Sequence, residues 1–375
     1  MKIILFTPVL SVGGAQQVAF LLASALLEDG HKIIIATPLA MGELAENFRK
    51  KCRIVDFGTG KPIKSTKNIA QLIRDFNADA IICFGIYAGI AAALSKVVFR
   101  WNPPIFMRNE NNLHLDWQQA SFVNRLIGPV LSRWAAQHSH VIAVSRALAS
   151  ATANYLLIDS SHVTTILNPV IDDAAVPVET ESAKLHPWLE DASVPVFVAM
   201  GRLENQKGFD VLIDAFSGVK EKTNARLVIF GSGSLRDVLQ AQIDSLNMGG
   251  AIVLAGHTDC PIAQMRRACA FVLSSRFEGF GLVLVEALWA GTQVISTDCD
   301  YGPAEVLEGG RYGTLVPVED RDALANAMLD VLQQPRSIQR PPDAWFEKFT
   351  ATEAARQHVA LIKSVERGQQ ARFAN

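Results

Sequence analysis

The sequence predicts an α/β protein built from two doubly wound parallel sheets. Short apolar runs of four to eight residues alternate with longer segments of helical character along the chain. Apolar strands separated by helices are typical of parallel sheets that are covered by helices on both faces. The length of 375 residues, of which 49% are hydrophobic, exceeds the usual size of a single core, so we expect two domains of roughly 150 to 200 residues each.

The apolar runs fall into two sets. The first set is KIILFT, HKIIIAT, RIVDF, DAIICF, PPIFM, HVIAVS and TTIL, and the second is VPVFVAM, ARLVIFG, AIVLAG, AFVLSS, TQVIST and GTLVPV. An acidic, proline-bearing stretch without helical periodicity separates them, as expected of a linker. We predict an N-terminal domain over 1–172, a linker over 173–193, a C-terminal domain over 194–349, and a C-terminal helix over 350–375 that could pack back on the N-terminal domain.

Composition indicates a reducing compartment and an uneven distribution of charge. The five cysteines show no CxxC spacing, which favours reduced thiols, and the N-terminal apolar run fits a buried strand better than a signal peptide. The longest uncharged apolar stretch, 80–95, is shorter than the roughly 20 residues that span a bilayer. Residues 1–170 hold 16 Lys and Arg against 10 Asp and Glu, so this half is expected to meet an anionic surface or acceptor, unless the excess is only a solvated face.

Two loops of the predicted sheets carry the features of an anion site. Ligands of open parallel sheets bind beyond the carboxyl ends of the strands. Gly13 and Gly14 follow the first strand and precede a helix, where a backbone can approach a phosphate closely, although such a turn often needs glycine anyway. Arg202 and Lys207 lie on the loop after VPVFVAM, beside a helix start that already favours negative charge. Two cations there indicate a bound anion, and the alternative is two solvent-facing side chains.

Two further loops point to a nucleotide and to sugar hydroxyls. Gly231 and Gly233 resemble part of a dinucleotide fingerprint, but Arg236 occupies the position of its third glycine, which disfavours NAD chemistry. Glu278 is predicted in a loop at the carboxyl edge of the sheet, and Glu286 one turn into the following helix. Carboxylates accept paired hydrogen bonds from vicinal hydroxyls, whereas Arg and Lys hold phosphates. A ligand with a ribose, a diphosphate and a sugar would occupy all of these loops.

These motifs together resemble the retaining glycosyltransferases of family 4. The matching segments are GGAQ at 13–16, MGRLENQKGFDVLIDAF from 200, FGSG at 230–233, EGFGLVLVEALWAG from 278 and DCDYGPAEVL at 298–307. The resemblance implies the GT-B architecture, in which two facing Rossmann-like domains place the donor site in the interdomain cleft. It also implies that the N-terminal domain binds the acceptor and that the C-terminal domain binds the nucleotide sugar.

The resemblance assigns roles to single residues. Arg202 and Lys207 would hold the donor diphosphate, Glu278 would address the donor sugar, and Glu286 would bind the ribose hydroxyls. These assignments make Arg202, Lys207 and Glu278 the candidate catalytic residues. The remaining candidate donor-binding residues are Gly13, Gly14, Gly231, Gly233, Phe280, Gly281 and Leu282, with backbone amides offered by the last three.

One segment departs from the family pattern. Many members carry a histidine after an N-terminal-domain strand, near the donor sugar, whereas this chain has Arg108, Asn109 and Glu110 at about that place. We assign these three residues to the acceptor or sugar side of the site.

The implied reaction is transfer of a hexose or N-acetylhexosamine, with retention, from a nucleoside-diphosphate sugar, with a UDP-sugar favoured. The acceptor would be a glycan or lipid-linked oligosaccharide in cell-surface polysaccharide synthesis. We expect no metal and no other cofactor, because Asp298 and Asp300 lie in the segment similar to a sugar loop and no histidine has metal-ligand spacing. We expect no nucleic-acid partner. The alternatives are a catalytically silent nucleotide-sugar-binding subunit and a GT-B epimerase or phosphorylase.

A last segment bears on where the protein acts. Residues 115–137 carry Trp117, Phe122, Leu126, Val130 and Trp134 at helical spacing, which predicts an amphipathic helix that the proline at 129 should kink or divide. Its apolar face either packs in the core or lies on an anionic membrane. The second case predicts a cytoplasmic protein that is peripheral at the inner face of the membrane.

Overall fold

The chain folds into two compact units, each with its own parallel sheet. The computed structural model describes residues 1–10, 13–41, 44–118, 120–172, 184–334 and 339–373. Unit 1 comprises Met1–Ala174 and Glu347–Asn375, and unit 2 comprises Ala175–Phe346. Much of the predicted linker, residues 173–183, lies outside the described residues. In the part of the chain that the structure describes, no helix is both long and apolar enough to cross a bilayer.

Unit 1 contains a seven-stranded parallel sheet in the order β3-β2-β1-β4-β5-β6-β7. Each strand coincides with one predicted apolar run, because side chains buried on both faces of a sheet must be apolar in succession. The strands are β1 Lys2–Phe6, β2 Lys32–Thr37, β3 Arg53–Asp56, β4 Ala80–Phe84, β5 Ile105–Asn109, β6 His140–Ala143 and β7 Val163–Thr165.

The helices of unit 1 cover both faces of this sheet. They are α1 Gly14–Glu28, α2 Leu44–Lys51, α3 Thr66–Phe76, α4 Ile86–Phe99, α5 Leu113–Gln118, α6 Phe122–Ala136 and α7 Arg146–Leu156, with a 3₁₀ turn at Pro62–Ser65. Because crossovers between parallel strands are right-handed, the reversal of strand order at β1 places α1 and α2 on one face and α3, α4, α6 and α7 on the other. The C-terminal helix of the chain packs against α1 and so belongs to the helical layer that contains α1 and α2.

The helical segment predicted over 115–137 is divided into two helices, α5 and α6, but not at the predicted position. The break comes before Ser121, whose extended backbone is typical of the residue that precedes a helix. Pro129 does not divide α6, which runs through it. The missing N–H leaves the carbonyl of Arg125 without its helical donor, and Arg125 lies on an exposed part of the helix, where water can bond that carbonyl.

Unit 2 repeats the architecture with a six-stranded parallel sheet in the order β10-β9-β8-β11-β12-β13. Its strands are β8 Val196–Met200, β9 Arg226–Phe230, β10 Ile252–Gly256, β11 Ala270–Leu273, β12 Val294–Thr297 and β13 Thr314–Val316. Its helices are α8 Pro187–Glu190, α9 Phe209–Lys220, α10 Arg236–Ser245, α11 Pro261–Arg267, α12 Leu282–Trp289, α13 Pro303–Val306, α14 Arg321–Gln333 and α15 Asp343–Phe346; α16, Ala351–Phe373, is the helix that returns to unit 1. The predicted fold class, two doubly wound α/β domains, is confirmed.

Candidate active site

Unit 2 brings three of the predicted ligand loops, and the segment 298–307, to one edge of its sheet. Strands β9, β8, β11 and β12 are neighbours in the sheet and run in the same direction. The loops that follow them therefore emerge side by side at the carboxyl edge, which is where open α/β sheets bind ligands.

Two glycines allow these loops to approach each other closely. Gly231 has a φ of +139°, and a Cβ there would lie 1.8 Å from the carbonyl oxygen of Gly201. Gly208 has a φ of +59°, and its Cβ would lie 2.2 Å from the carbonyl oxygen of Ser274. A side chain at either position would separate the loops and would also strain the backbone. Gly231, which suggested a ligand loop in the sequence, thus has a packing role as well.

Lys207 and Glu278 form an ion pair at this edge. The Lys207 Nζ lies 2.6 Å from Glu278 Oε1, and the two side chains are 13% and 8% exposed. Ser275 Oγ donates a second hydrogen bond of 2.6 Å to the same carboxylate oxygen. These two hydrogen bonds offset the cost of burying the carboxylate. The ion pair therefore joins a residue predicted to bind the diphosphate to a residue predicted to bind the donor sugar. The two residues are 71 positions apart along the chain.

Glu286 lies near the same ammonium group but is not paired with it. It stands on α12, which begins after Gly281 in the left-handed conformation, with a φ of +86°. Burial raises the pKa of the Glu286 carboxyl to about 7, and the positive charge of Lys207 opposes that rise. A carboxyl group poised near neutrality can accept hydrogen bonds from ligand hydroxyls once it ionises.

Arg202 is the exposed member of the set. Its Nη2 donates to Gln206 Oε1 at 3.1 Å, and Gln206 Nε2 donates to the carbonyl of Phe277 at 3.0 Å. Gln206 thus connects the loop after β8 to the loop after β11. The guanidinium is left at the surface of the loop that carries Lys207, where it is accessible to an anion.

The segment 280–282 forms the start of α12. Phe280 is 3% exposed and packs in the unit, Gly281 precedes the helix, and Leu282 is its first residue. The first amides of a helix point outward and favour an anion. Of the residues that the structure describes, no group of three or more His, Cys, Asp or Glu could hold a metal ion, and Asp298 and Asp300 are both exposed.

Unit 1 holds the remaining predicted site residues. Gly13 immediately precedes α1 and Gly14 is its first residue, while residues 11 and 12 lie outside the described chain. Asn109, 3% exposed, donates from Nδ2 to Thr152 Oγ1 at 2.7 Å. Glu110 is 15% exposed, and burial raises the pKa of its carboxyl while Arg108 opposes the rise.

Arg108 is fully buried in a polar cluster of unit 1. Its Nη2 donates to Asn168 Oδ1 at 2.5 Å, and its Nη1 lies 2.8 Å from His358 Nε2. His358 Nδ1 lies 2.7 Å from the carbonyl of Ala354 and must donate to it, so Nε2 accepts from the arginine and the ring is neutral. Burial and the adjacent guanidinium lower the His358 pKa to about 3. Among residues 108–110, only Glu110 therefore offers a partly exposed charged group, and an acceptor contact remains a prediction.

Comparison with known proteins identifies the family. The sequence model described as "Glycosyltransferase Family 4" matches residues 12–174, and the one described as "Glycosyl transferases group 1" matches residues 183–344. The chain belongs to glycosyltransferase family 4. The predicted family is thus confirmed, and the two matches fall on the two units separately.

Two relatives and one solved structure show the extent of the likeness. An uncharacterized glycosyltransferase of Methanocaldococcus jannaschii is 42% identical over 259 residues, which are 66% of this chain and 62% of that protein. The Campylobacter jejuni N-acetylgalactosamine-N,N'-diacetylbacillosaminyl-diphospho-undecaprenol 4-alpha-N-acetylgalactosaminyltransferase is 33% identical over 136 residues, 36% of this chain and 37% of that protein. The matches thus span less than two thirds of either relative. The crystal structure of Anabaena HepE in complex with UDP-glucose superposes with a TM-score of 0.80 at 20% identity, over 97% of this chain and 100% of that one. At that identity the likeness supports the GT-B fold alone.

One residue of this family 4 site escaped sequence reasoning. Arg276 donates to both carboxylate oxygens of Asp210, at 2.9 and 2.7 Å, to the carbonyl of Asn205 at 2.8 Å, and to Glu319. These bonds raise the pKa of the guanidinium further and fasten the loop that carries Lys207 to the loop that carries Glu278. Arg276 lies two residues before Glu278, but its partners lie 43 to 71 residues away along the chain, so no local pattern indicates them.

Proposed function

We propose that the protein is a retaining glycosyltransferase that moves a hexose or N-acetylhexosamine from a UDP-sugar. The observation that carries this proposal is the cluster of Lys207, Glu278 and Glu286 at the carboxyl edge of the unit 2 sheet. A cation, an ion-paired carboxylate and a carboxyl of raised pKa match a ligand that has a diphosphate and two sets of hydroxyls. The HepE complex with UDP-glucose, in the same fold, supports a uridine nucleotide.

The chain's own groups supply electrostatic stabilisation in this reaction. As the bond between the sugar and the diphosphate breaks, negative charge grows on the leaving phosphate. Arg202 and Lys207 would stabilise that charge, an effect that commonly contributes a factor of about 10² to 10³ per group. Glu278 would then orient the sugar hydroxyls, and Glu286 the ribose hydroxyls.

The acceptor is proposed to be a glycan or lipid-linked oligosaccharide in cell-surface polysaccharide synthesis. The name of the Campylobacter relative includes a diphospho-undecaprenol acceptor, which supports a lipid-linked class. Such an acceptor would place this protein in the cytoplasm, peripheral at the inner face of the membrane. We propose that no metal ion or other cofactor takes part.

A panel of nucleotide sugars tests the donor assignment. UDP-glucose, UDP-N-acetylglucosamine and GDP-mannose should be compared by thermal shift, with NAD as a control. A ligand that binds only the folded state raises its stability by about 2.7 kcal/mol at a hundredfold excess over Kd. A shift with NAD alone would refute the proposal.

Turnover separates an enzyme from a silent binding subunit. Slow hydrolysis of the bound donor, followed by release of UDP, is expected of a transferase without its acceptor. A protein that binds a UDP-sugar tightly but never releases UDP, with any acceptor supplied, would be the silent subunit instead. An α-linked product from an α-linked donor, established by NMR, would support retention, and a β-linked product would refute it.

A further inference from the structure

Helix α6 is turned so that its large apolar side chains face outward. The residues it buries are small, namely Gly128, Ser132, Ala135 and Ala136. A Cβ on Gly128 would lie 2.3 Å from the ring of Trp117, so the inward face fits only minimal side chains. This close packing fixes the rotation of the helix and leaves the large apolar residues on the opposite face.

The outward residues form a continuous stripe, called here the α6 surface. Its members are Phe122, Val123, Leu126, Ile127, Val130 and Leu131, with exposed fractions of 77, 61, 62, 48, 64 and 37%. Spacings of one, four, five, eight and nine residues place them along one side of a helix. Contiguous apolar patches of this kind on a folded protein indicate an interaction site. Of the apolar face predicted from the sequence, Phe122, Leu126 and Val130 are exposed and do not pack in the core, whereas Trp117 is buried and Trp134 is half-buried.

The surroundings of the α6 surface are basic. Helix α4 packs beside α6 and adds Val97 and Val98, which are 45 and 58% exposed. Arg125 is exposed on α6 itself, Arg100 at the end of α4, and Lys64 on the 3₁₀ turn that packs against α4. The sequences of α4, α6 and this turn contain no Asp or Glu, and α5, which also packs against α6, contributes one carboxylate, Asp116. Because cations outnumber carboxylates on these elements, the surface fits a partner that is apolar and negatively charged.

We infer that the α6 surface binds an anionic lipid bilayer, an inference that rests on the membrane location in the proposed function. Apolar side chains would enter the boundary between headgroups and acyl chains, and each nearby cation would attract anionic headgroups. A second copy of the chain fits less well, because a symmetric interface would place these cations against their own copies without a carboxylate on α4 or α6 to offset them. The N-terminal end of α6 points toward the carboxyl edge of the unit 1 sheet, since helices of a parallel sheet run opposite to the strands.

Vesicle binding with matched variants tests the inference. The full chain should cosediment with vesicles of phosphatidylglycerol and phosphatidylcholine at low salt, less at high salt, and at least tenfold less with phosphatidylcholine alone. Val130→Ser should lower the affinity about tenfold, and Leu126→Ser with Val130→Ser further. Val238→Ser is the matched control, because Val238 is also an exposed helical valine, 62% exposed, but on α10 of unit 2. Equal melting temperatures would show that the variants fold.

Three results would overturn the inference. One is equal vesicle binding by Val130→Ser and Val238→Ser. Another is that the wild-type chain does not cosediment with the anionic vesicles at low salt, which would point to an acidic protein partner instead. The third is a concentration-dependent dimer that Val130→Ser abolishes. A chain that binds vesicles but shows no thermal shift with any nucleotide sugar would support the surface and refute the donor chemistry, so the two failures are distinguishable.

Discussion

Replacing Glu286 by Gln should stabilise the ligand-free protein above neutral pH and weaken nucleotide-sugar binding. The carboxyl stands on α12 near Lys207, and burial raises its pKa from the ordinary 4.5 to about 7. Gln keeps the shape of the side chain but cannot ionise. The exchange therefore removes the cost of an ionised, poorly hydrated group and also removes one acceptor of hydroxyl hydrogen bonds.

The magnitude follows from the difference between the folded and unfolded pKa. A raised carboxyl pKa means that the folded chain holds the proton more tightly than the unfolded chain. The wild type is therefore relatively most stable below about pH 4.5, loses stability as the pH rises toward 7, and stays at the lower level above it. A rise from 4.5 to about 7 corresponds to about 3 kcal/mol. The advantage of Glu286→Gln should be near zero at pH 4.5 and approach about 3 kcal/mol at pH 8.

Denaturant unfolding at pH 5 and pH 8, with and without UDP, measures both effects. Glu221→Gln is the matched control, because Glu221 is an exposed carboxylate at the end of α9, outside the candidate site. UDP should stabilise the wild type more than Glu286→Gln. UDP binding to the wild type should also weaken as the pH falls below 7, because the carboxyl must lose its proton to accept two hydroxyls. A Glu286→Gln effect that is the same at both pH values, or destabilising at pH 8, would refute the reasoning.

Three further predictions concern the same edge of the unit 2 sheet. Arg202→Ala or Lys207→Ala should lower turnover by a factor of about 100 or more in a folded protein, whereas Lys222→Ala, an exposed lysine outside the site, should not; near-wild-type turnover in both site variants would rule out their assigned role. Arg276→Ala should lower kcat more than it changes KM, with partial rescue by Arg276→Lys, because Arg276 positions the Lys207 loop through Asp210; an unchanged kcat would leave it a purely structural residue. Activity should survive EDTA, and loss with EDTA that Mg²⁺ or Mn²⁺ restores would contradict the metal-free proposal.

The strands were predictable from the sequence because a strand that is buried on both faces requires an uninterrupted run of apolar residues. Each apolar run became a strand, and the loops after Met200 and Leu273 emerged on the same edge because parallel topology dictates it. The ion pair of Lys207 with Glu278 was harder to predict, because the sequence assigned the two residues to different parts of the ligand, the diphosphate and the donor sugar. Their contact depends on the close approach of loops at Gly208.

The orientation of α6 and the Arg108 cluster could not be predicted. The periodicity of α6 indicates that its large apolar residues share a face, but it does not show which face is buried. The face of small residues is the buried one, because Trp117 lies so close to Gly128. Arg108 and His358 are 250 residues apart. In the sequence, an arginine such as Arg108 at the end of an apolar run suggests a residue that binds a ligand. In the structure, Arg108 instead donates hydrogen bonds to buried side chains of the same unit.

The return of α16 to unit 1 bears on the order in which the chain folds during synthesis. Unit 2 is continuous, so it can complete its core as soon as Phe346 has left the ribosome. Unit 1 has the seven strands of its sheet far earlier, but Arg108 lacks its His358 partner until α16 emerges. A nascent unit 1 therefore carries an incompletely satisfied interior cation while unit 2 is being synthesised. The consolidation of unit 1 thus follows the synthesis of unit 2, although most of unit 1 precedes it in the sequence.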